Sequence, residues 1–178
     1  MTNRIKTVRY PKLILVRCEN AERVSELISD ILNFCSYNTS IDDFSENTDY
    51  IICCDADLTE VPEGIIADTV LMDQSCSDEI DVDAFRTVVA DYDELPEGYE
   101  ERKKGCFTFS AENYYADLAC RNICSNGSAL VFDIVSGGIL SRVRVDSDVY
   151  SVDDIVLCTS VLVALGIPMA AVLGYFNR

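Results

Sequence analysis

Apolar residues in the first half of the chain form short unbroken runs that are separated by polar segments. The runs are Leu13–Val16, YIICC from Tyr50, and TVLM, which lies within ADTVLMDQS from Ala67. Strands that are buried on both faces of a sheet have continuous apolar runs of this length, so each run predicts a buried strand.

A helix is predicted after the first strand, because its apolar residues recur with helical spacing. They stand at i, i+3, i+4, i+7 and i+8, the pattern of a helix that packs one face against a core. These positions are Val24, Leu27, Ile28, Ile31 and Leu32. Buried strands that alternate with helices or loops indicate an α/β fold with a mostly parallel sheet covered on both sides.

The middle of the chain is acidic and rich in turn-forming residues. DVDAFRTVVADYDEL from Asp81 predicts a short helix, and LPEGYEERKKG after it predicts a charged surface link. We therefore expect one domain over 1–178, in which an acidic connecting segment (82–104) joins a parallel α/β part (1–81) to a C-terminal part (105–178).

The C-terminal part contains a hairpin and two helices. GCFTFS predicts a strand, and GSALVFDIV and ILSRVRVDS predict the two strands of a hairpin around SGG. SVDDIVLCTSVLVALGIP predicts an apolar helix with Ser151 at the N-cap and Asp154 completing a capping box, ended by Gly166 and Pro168. MAAVLGYF predicts a last short helix.

The charge balance excludes several classes of ligand. The chain has 178 residues with 14 Lys and Arg against 31 Asp and Glu, which gives a formal net charge of -17. Such a surface repels nucleic acid and anionic membranes, and it disfavours a polyphosphate unless a cation or a local basic pocket compensates. The chain also has no His, which removes the usual general base and the commonest metal ligand. We expect no nucleic-acid partner and no membrane partner.

The nine Cys residues are expected to be reduced thiols of a cytoplasmic protein. The N-terminus MTNRIKTVRYPK is too polar for a signal peptide, and no apolar run approaches the length of a membrane span. Cys53 and Cys54 lie in a predicted strand, and Cys120 and Cys124 share a helix-like spacing that supplies at most half a metal site. We interpret the thiols as buried and structural, since free Cys behaves as a small hydrophobe.

The bend between the first strand and the first helix occupies a place at which many proteins hold a nucleotide phosphate. It runs from Arg17 to Arg23, RCENAER, and contains neither Gly nor Lys. Phosphate loops use glycines to turn successive N–H groups toward the anion and a Lys to add positive charge. The bend is therefore either a phosphate loop that has lost its chemistry or an ordinary strand-turn-helix connection.

The rest of the chain resembles the central domain of the ATP-dependent Mur ligases, which add amino acids to the peptidoglycan precursor. FTFSAENYYADLAC, the hairpin and the helix ending in LGI (Leu165–Ile167) keep the spacing of that family's TFG strand, acidic AD, hairpin and final motif, without its polar residues. ADTVLMDQSCSDEID resembles the family's ADxAVITNIxxDHLD, with Asp78 matched and Glu79 in place of a metal-binding His. The resemblance implies an α/β fold of the P-loop-NTPase or Rossmann-like type, with a C-terminal antiparallel hairpin and terminal helices.

The same resemblance aligns the bend with the family's phosphate loop, VTGTNGKTT. Asn20 matches, Cys18 and Ala21 stand at the glycine positions, and Glu22 stands at the Lys. Arg23 replaces the hydroxyl residue that binds magnesium. A carboxylate about 4 Å from a phosphate charge repels it by about 1 kcal/mol in water and by about 4 kcal/mol at an effective dielectric near 20. We therefore expect no cofactor, and ATP with Mg would bind only if this altered loop still accepted phosphate.

Further candidate positions also follow from the resemblance. Ser151 and Asp154 stand at the two Asn residues of the family's adenine-contacting turn, although the capping box accounts for both of them. The family's catalytic Glu falls at Cys54, or at Asp55 if the register shifts by one residue.

Two adjacent carboxylates are the candidate metal ligands. Asp78 and Glu79 follow a predicted strand, at the edge where α/β sheets hold their ligands, and with water they could bind magnesium or calcium. The alternative in so acidic a chain is a solvated loop.

We expect a non-catalytic Mur-ligase-like domain that acts in ligand binding or protein assembly. The chain begins at the nucleotide-binding strand and ends soon after LGI, so the family's N-terminal and C-terminal domains are expected to be absent. A UDP-sugar or a muropeptide is the ligand that the resemblance implies.

Two alternatives stay open. One is an ATP-dependent ligase fragment, or a subunit of a split ligase whose missing domains a partner chain supplies. The other is a structural module that forms homo-oligomers or docks through an apolar patch around Tyr114 and Tyr115. The simpler interpretation of those tyrosines is packing beneath the hairpin.

Overall fold

The structure is a computed structural model that describes residues 10–44, 47–54, 63–72, 82–95 and 105–178. The candidate metal ligands Asp78 and Glu79, and the alternative catalytic position Asp55, lie outside the described residues.

A single sheet of nine strands organises the chain. The strands are β1 (Lys12–Arg17), β2 (Thr39–Ile41), β3 (Tyr50–Cys53), β4 (Ile66–Met72), β5 (Thr87–Asp91), β6 (Cys106–Ser110), β7 (Leu118–Asn126), β8 (Ala129–Ser136) and β9 (Ile139–Asp146). Their spatial order is β2-β3-β1-β4-β5-β6-β7-β8-β9. Pairing is parallel from β2 through β7, whereas β7–β8 and β8–β9 are antiparallel. The predicted α/β class, with its C-terminal hairpin, is confirmed.

Within the described ranges, three helices cover one face of this sheet. They are α1 (Ala21–Phe34), α2 (Val152–Ala164) and α3 (Met169–Phe176). The predicted apolar positions of α1 are all buried, and they pack with alternate strand residues such as Ile14, Ile52 and Leu71 in one core. None of the helices in the described ranges has both the length and the apolar character that a membrane span requires.

The opposite face of the parallel strands is buried as well. Leu13, Ile51, Val70 and Val88 belong to a second core, and their neighbours along each strand belong to the first. Successive side chains of a strand point to opposite faces, so these strands have to be apolar throughout their length.

The segment predicted as a short helix from Asp81 contains a strand instead. It contains a 3-10 turn at Val82–Ala84, and β5 follows and pairs with β4 and β6. The β-branched residues of TVVAD favour a pleated, buried strand, and its neighbours in the sheet satisfy its backbone groups. The helix-like spacing of Cys120 and Cys124 was also misleading, because both residues lie on β7, where a bulge separates Arg121 from Cys124.

The ends of the C-terminal elements follow the predicted turn chemistry. Gly137 and Gly138 join β8 to β9 with φ of 56° and 79°, which a two-residue hairpin turn of type I′ requires. The Ser151 hydroxyl accepts a hydrogen bond of 3.0 Å from the Asp154 N–H and caps α2. Gly166, with φ of 88°, follows the end of that helix.

The order of the strands creates a crevice beside β1. The chain leaves β1 through α1 toward β2 and β3 on one side, and β4 then pairs with β1 on the other side. In open α/β sheets, ligands bind outside the carboxyl ends of the strands at such a reversal of strand order. The predicted phosphate-loop bend lies at this reversal.

Candidate functional site

A cleft of about 240 Å³ lies at the carboxyl ends of β1, β4, β5 and β6, next to the start of α2. The bend Cys18–Asn20 forms one wall, and apolar side chains line the interior. The apolar lining residues are Leu71, Met72, Phe109, Ala111, Val156 and Leu157. The cleft is therefore where the strand order predicts a ligand site.

Four carboxylates also line this cleft, and no Lys or Arg is among the described residues that line it. They are Glu19, Asp91, Glu94 and Asp153. Burial raises the pKa of Asp91, and the negative charges of Glu94, Asp93 and Asp153 raise it further, against a hydrogen bond from the Asp93 N–H. An anion in the cleft would meet the same negative potential. The cleft therefore disfavours phosphate and favours neutral or cationic groups.

The bend itself is a closed turn. The Ala21 N–H donates to the Cys18 carbonyl at 3.1 Å, and the Val24 N–H donates to the Asn20 carbonyl at 3.0 Å. None of the residues from Cys18 to Arg23 has a positive φ. The Asn20 side chain makes no cap hydrogen bond to α1. The Ala21 N–H is thus bonded within the bend, and the backbone lacks the glycine conformations that form an anion nest.

Glu22 lies exposed in the first turn of α1, at the position of the family's Lys. Negatively charged side chains stabilise a helix N-terminus through its dipole, which is an ordinary structural role. Its negative charge also helps to raise the pKa of the Cys54 thiol, which follows directly after β3.

The resemblance places the family's catalytic Glu at Cys54, or at Asp55 if the register shifts by one residue, and the pKa of the Cys54 thiol is raised. Burial is the first cause of its raised pKa, followed by its hydrogen bond to Asp42. The Asp42 carboxylate accepts the Cys54 N–H at 3.0 Å and the thiol at 3.1 Å. A thiol that donates to a carboxylate is neither a base nor an activated nucleophile. The residue therefore provides no substitute for a catalytic carboxylate.

Arg23 and Asp154 form an ion pair next to residues that line the cleft, although neither of the two lines it. The Arg23 Nε lies 2.9 Å from the Asp154 carboxylate, and the Arg23 Nη2 donates to the Val149 carbonyl. The Asp154 side chain is only 7% exposed, and its carboxylate binds this guanidinium. The prediction that a capping box accounts for Asp154 is therefore wrong for its side chain, although its N–H does complete the cap at Ser151.

A second contact holds the same two helices together. The Cys158 thiol of α2 lies 3.7 Å from the carbonyl of Val24 in α1 and donates to it. Cys158 is buried, as are Cys53 and Cys120, so the prediction that the thiols are buried is confirmed for these three. Cys124, by contrast, is exposed.

Sequence reasoning brought Asn20, Glu22, Arg23 and Asp154 to one region and missed the carboxylates of the cleft. Asp91 and Glu94 lie in the segment that was assigned to a helix, where no strand end was expected. A residue at the end of a predicted strand is the signal that would have identified Asp91. Within the described ranges, no group of three Cys, Asp or Glu residues has the arrangement of a metal site.

The tyrosines of the loop after β6 are exposed instead of packed beneath the hairpin. Tyr114 is 64% exposed, and its ring lies 3.9 Å from the Arg121 guanidinium; Tyr115 is 86% exposed. The loop that carries them is anchored at Asp93, which accepts hydrogen bonds from the Ser110 hydroxyl and the Asn113 amide. The packing interpretation of both tyrosines is therefore wrong.

No family model matches the chain, and no curated protein matches it. Solved structures, however, match over nearly its whole length. One is a UDP-N-acetylmuramoyl-L-alanyl-D-glutamate–2,6-diaminopimelate ligase, with a TM-score of 0.68 and 11% identity over 96% of this chain and 47% of that one. Another is the MurF ligase of Thermotoga maritima in complex with ADP, with a TM-score of 0.61 and 10% identity over 92% of this chain and 48% of that one.

The folylpolyglutamate synthetase of Lactobacillus casei also matches, with a TM-score of 0.59 and 8% identity over 93% of this chain and 61% of that one. At these identities the similarity establishes the fold alone, and the chain spans about half the length of the two ligases. The sheet order, the cleft and these matches agree on one conclusion: the chain has a Mur-ligase-like fold.

Proposed function

We propose that this protein is a Mur-ligase-like domain that lacks ligase chemistry and acts in ligand binding or protein assembly. The observation that carries the proposal is the ion pair between Arg23 and Asp154. By the resemblance, one partner replaces the hydroxyl residue that holds magnesium and the other replaces an adenine-contacting Asn. Two positions that would hold Mg and ATP are thus bonded to each other.

The charge of the cleft supports the same proposal. Acyl-phosphate chemistry needs cations around the transferred phosphoryl group, supplied by Lys and metal ions. Here Glu19, Asp91, Glu94 and Asp153 line the cleft, and Glu22 stands at the Lys position. Each carboxylate adds about 1 to 4 kcal/mol of repulsion to a phosphate charge about 4 Å away, depending on solvent access.

Calorimetric titration with ATP and magnesium tests the proposal. We expect no heat of binding at ligand concentrations up to about 1 mM, which corresponds to a binding free energy weaker than about 4 kcal/mol. The MurF ligase of Thermotoga maritima, which has been solved with ADP, serves as the positive control. Saturable binding by the wild-type chain would overturn the proposal.

A residual or split ligase is the second candidate, and the position of the cleft favours it. The cleft lies at the reversal of strand order beside β1, which is where α/β proteins bind nucleotides. A partner chain that supplied cationic groups would be needed to hold ATP there. Release of ADP when the chain is mixed with ATP, magnesium and a UDP-N-acetylmuramoyl peptide would support this candidate, and absence of release would exclude the chain as a self-sufficient ligase.

The ligand implied by a binding role is a muropeptide rather than the diphosphate of a UDP-sugar. A muropeptide offers amino groups, which the carboxylates of the cleft attract, whereas those carboxylates repel a diphosphate. A rise in melting temperature with a diaminopimelate-containing muropeptide, and none with UDP-N-acetylmuramate, is the expected result. A larger rise in melting temperature with UDP-N-acetylmuramate than with the muropeptide would contradict this assignment.

An assembly role would involve a homo-oligomer or a partner chain that carries the remaining ligase domains. Light scattering detects a homo-oligomer directly. We expect the chain to meet such a partner in the cytoplasm. If the protein stayed monomeric at every concentration, an assembly role would require the partner chain.

A further inference from the structure

The outer side of the three antiparallel strands carries exposed side chains, among them Arg142, Arg144 and Leu140, around the buried Asp133 and Ala119. Phe132, Ile134, Val143 and Val145 of β8 and β9 point into the core, so their neighbours point away from it. The register aligns these outward side chains in rows across the strands. One row holds Arg121, Asp133 and Arg142, and the adjacent rows hold Cys124, Val131 and Arg144 on one side and Ala119, Val135 and Leu140 on the other. We call these three rows the basic face.

Positive charge exceeds negative charge on the basic face. It carries Arg121, Arg142 and Arg144 against the single carboxylate of Asp133, in a chain with a formal net charge of -17. Arg142 binds Asp133 through two hydrogen bonds of 2.8 and 3.1 Å, and Arg144 has no carboxylate partner among the described residues. The Arg121 Nε is buried without a hydrogen-bond partner in the described part of the chain. Two guanidiniums of the basic face are therefore not neutralised by the described residues.

Apolar side chains lie beside these guanidiniums. Leu140 is 57% exposed at one end of the basic face, and Tyr114 stacks over Arg121 at 3.9 Å. Arg and Tyr are among the side chains that contribute most of the binding energy in protein interfaces. The composition fits a partner that presents both carboxylates and apolar groups.

Next to Arg144, the backbone groups at the free edge of β9 are not available to an added strand. The Asn177 amide donates to the Arg142 carbonyl and accepts from the Arg144 N–H, both at 3.3 Å. These are the backbone groups that a strand added at this edge would use. A partner that reaches Arg144 therefore has to lie on the face of the sheet and not along its edge.

The size of the basic face limits what it can bind. Three strands about 4.8 Å apart, each contributing about six residues at about 3.3 Å per residue, give roughly 300 Å². A stable interface between folded proteins buries about 800 Å² on each partner. The face accordingly fits a short extended segment of about six residues rather than a folded domain.

We propose that the basic face binds a short extended protein segment in which acidic and apolar residues alternate. A second copy docked through the same face would place Arg142 and Arg144 against identical arginines, and like charges disfavour that contact. The overall negative charge of the chain does not prevent the binding, because at physiological ionic strength charges are screened beyond about 8 Å. The proposal needs neither the bend nor the cleft, so the outcome of the ATP titration does not affect it.

Fluorescence anisotropy with a labelled octapeptide of alternating Glu and Leu, in 0.15 M NaCl, tests the proposal. We expect saturable binding that weakens about tenfold in Arg144→Glu and also falls in Leu140→Ser. Arg178→Glu is the matched control, because it makes the same charge change at a residue that lines a pocket with Arg144 but lies outside the three rows, where Arg178 stacks on Tyr175 at 4.0 Å. Its affinity should stay within about twofold of wild type. The same peptide with Gln in place of Glu should not bind.

Several outcomes would overturn the proposal. They are absence of binding up to about 1 mM peptide, equal loss in Arg144→Glu and Arg178→Glu, or equal binding of a Lys–Leu peptide. A dimer that light scattering detects in wild type and not in Arg144→Glu would assign the face to self-association instead. Unchanged melting temperatures of the variants show that loss of binding does not come from unfolding.

Discussion

The guanidinium of Arg23 lies 2.9 Å from the carboxylate of Asp154 and joins the first turn of α1 to the first turn of α2. The two residues stand where the resemblance places a magnesium-binding hydroxyl and an adenine contact. Their pairing gives the bend after β1 a structural role, because it links the start of α1 to the start of α2.

Removing Arg23 should destabilise the fold. In Arg23→Ala, the Asp154 carboxylate, which is 7% exposed in the wild-type protein, loses its ionic partner, while the Val149 carbonyl loses a donor. We expect a loss of about 1 to 2 kcal/mol in the free energy of unfolding, less than for a fully buried pair because Arg23 is half exposed. Urea denaturation measures it.

Two further variants separate the ion pair from other effects of the substitution. Glu26→Ala changes an exposed charge in the same helix and should shift stability by less than about 0.5 kcal/mol. The double variant Arg23→Ala with Asp154→Asn should lose less free energy of unfolding than the sum of the losses in the two single variants. Strict additivity would show that the two side chains do not interact in solution.

Reversing the charge at Glu22 should improve phosphate binding without restoring it fully. Glu22→Lys removes a repulsive charge at the start of α1 and adds an attractive one, but the bend still lacks glycines. We expect the melting temperature to rise more with millimolar ADP and magnesium in Glu22→Lys than in wild type. Glu26→Lys makes the same charge change one turn further along α1 and should show no such rise. An equal response of both variants would point to nonspecific electrostatics.

Neutralising Asp91 should stabilise the protein at neutral pH. Burial, followed by the charges of Glu94, Asp93 and Asp153, holds the pKa of Asp91 above its ordinary value of 3.8 in the folded state. The folded chain therefore binds this proton more tightly than the unfolded chain, so stability falls as the pH rises from the ordinary value of 3.8 through the folded-state pKa.

Asp91→Asn should thus melt a few degrees above wild type at pH 7, and the difference should vanish near pH 3, where wild-type Asp91 is protonated. Asn keeps the acceptor for the Asp93 N–H, so the turn after β5 is retained. Asp43→Asn, at an exposed position, removes the same charge from the surface and should change the melting temperature little. A difference that persisted at pH 3 would contradict an electrostatic cause.

Asn177 should act as a cover for the edge of the sheet. In Asn177→Ala, the Arg142 carbonyl and the Arg144 N–H lose their partner and become available to another strand. We expect a stability loss of about 1 kcal/mol and an increase in oligomers with concentration, measured by sedimentation velocity. Arg178→Ala, at the next position, should sediment like wild type. If both variants remained monomeric at high concentration, the edge would not depend on this amide.

Much of the fold could be predicted because its elements are defined locally. β1, β3, β4 and both terminal helices have continuous or periodic apolar residues, and the hairpin is marked by two glycines. β2 was missed because Thr39–Ile41 is short and partly exposed, and it forms through pairing with β3. The sequence predicted a helix at β5, because acidic residues on both sides of its short apolar run make the run hard to recognise as a strand.

The candidate site was predicted less well, because tertiary structure determines it. Sequence alignment brought Arg23 and Asp154 into one site, yet only the fold showed that they bind each other. Asp91 and Glu94 come close to Glu19 because β5 lies two strands from β1 in the sheet order, and no local pattern contains that information.

The pairing of β1 with strands that follow much later has a consequence for the order of folding. Lys12 pairs with Tyr50 and with Ile66, so the centre of the parallel sheet forms only after long loops have closed. The β8–β9 hairpin needs only a two-residue turn, and hairpins of this kind form in about 1 to 10 μs. In pulsed hydrogen exchange during refolding, we expect protection to appear in Ala129–Asp146 before it appears in Lys12–Arg17. The bend that follows β1 would then be among the last parts of the chain to become ordered.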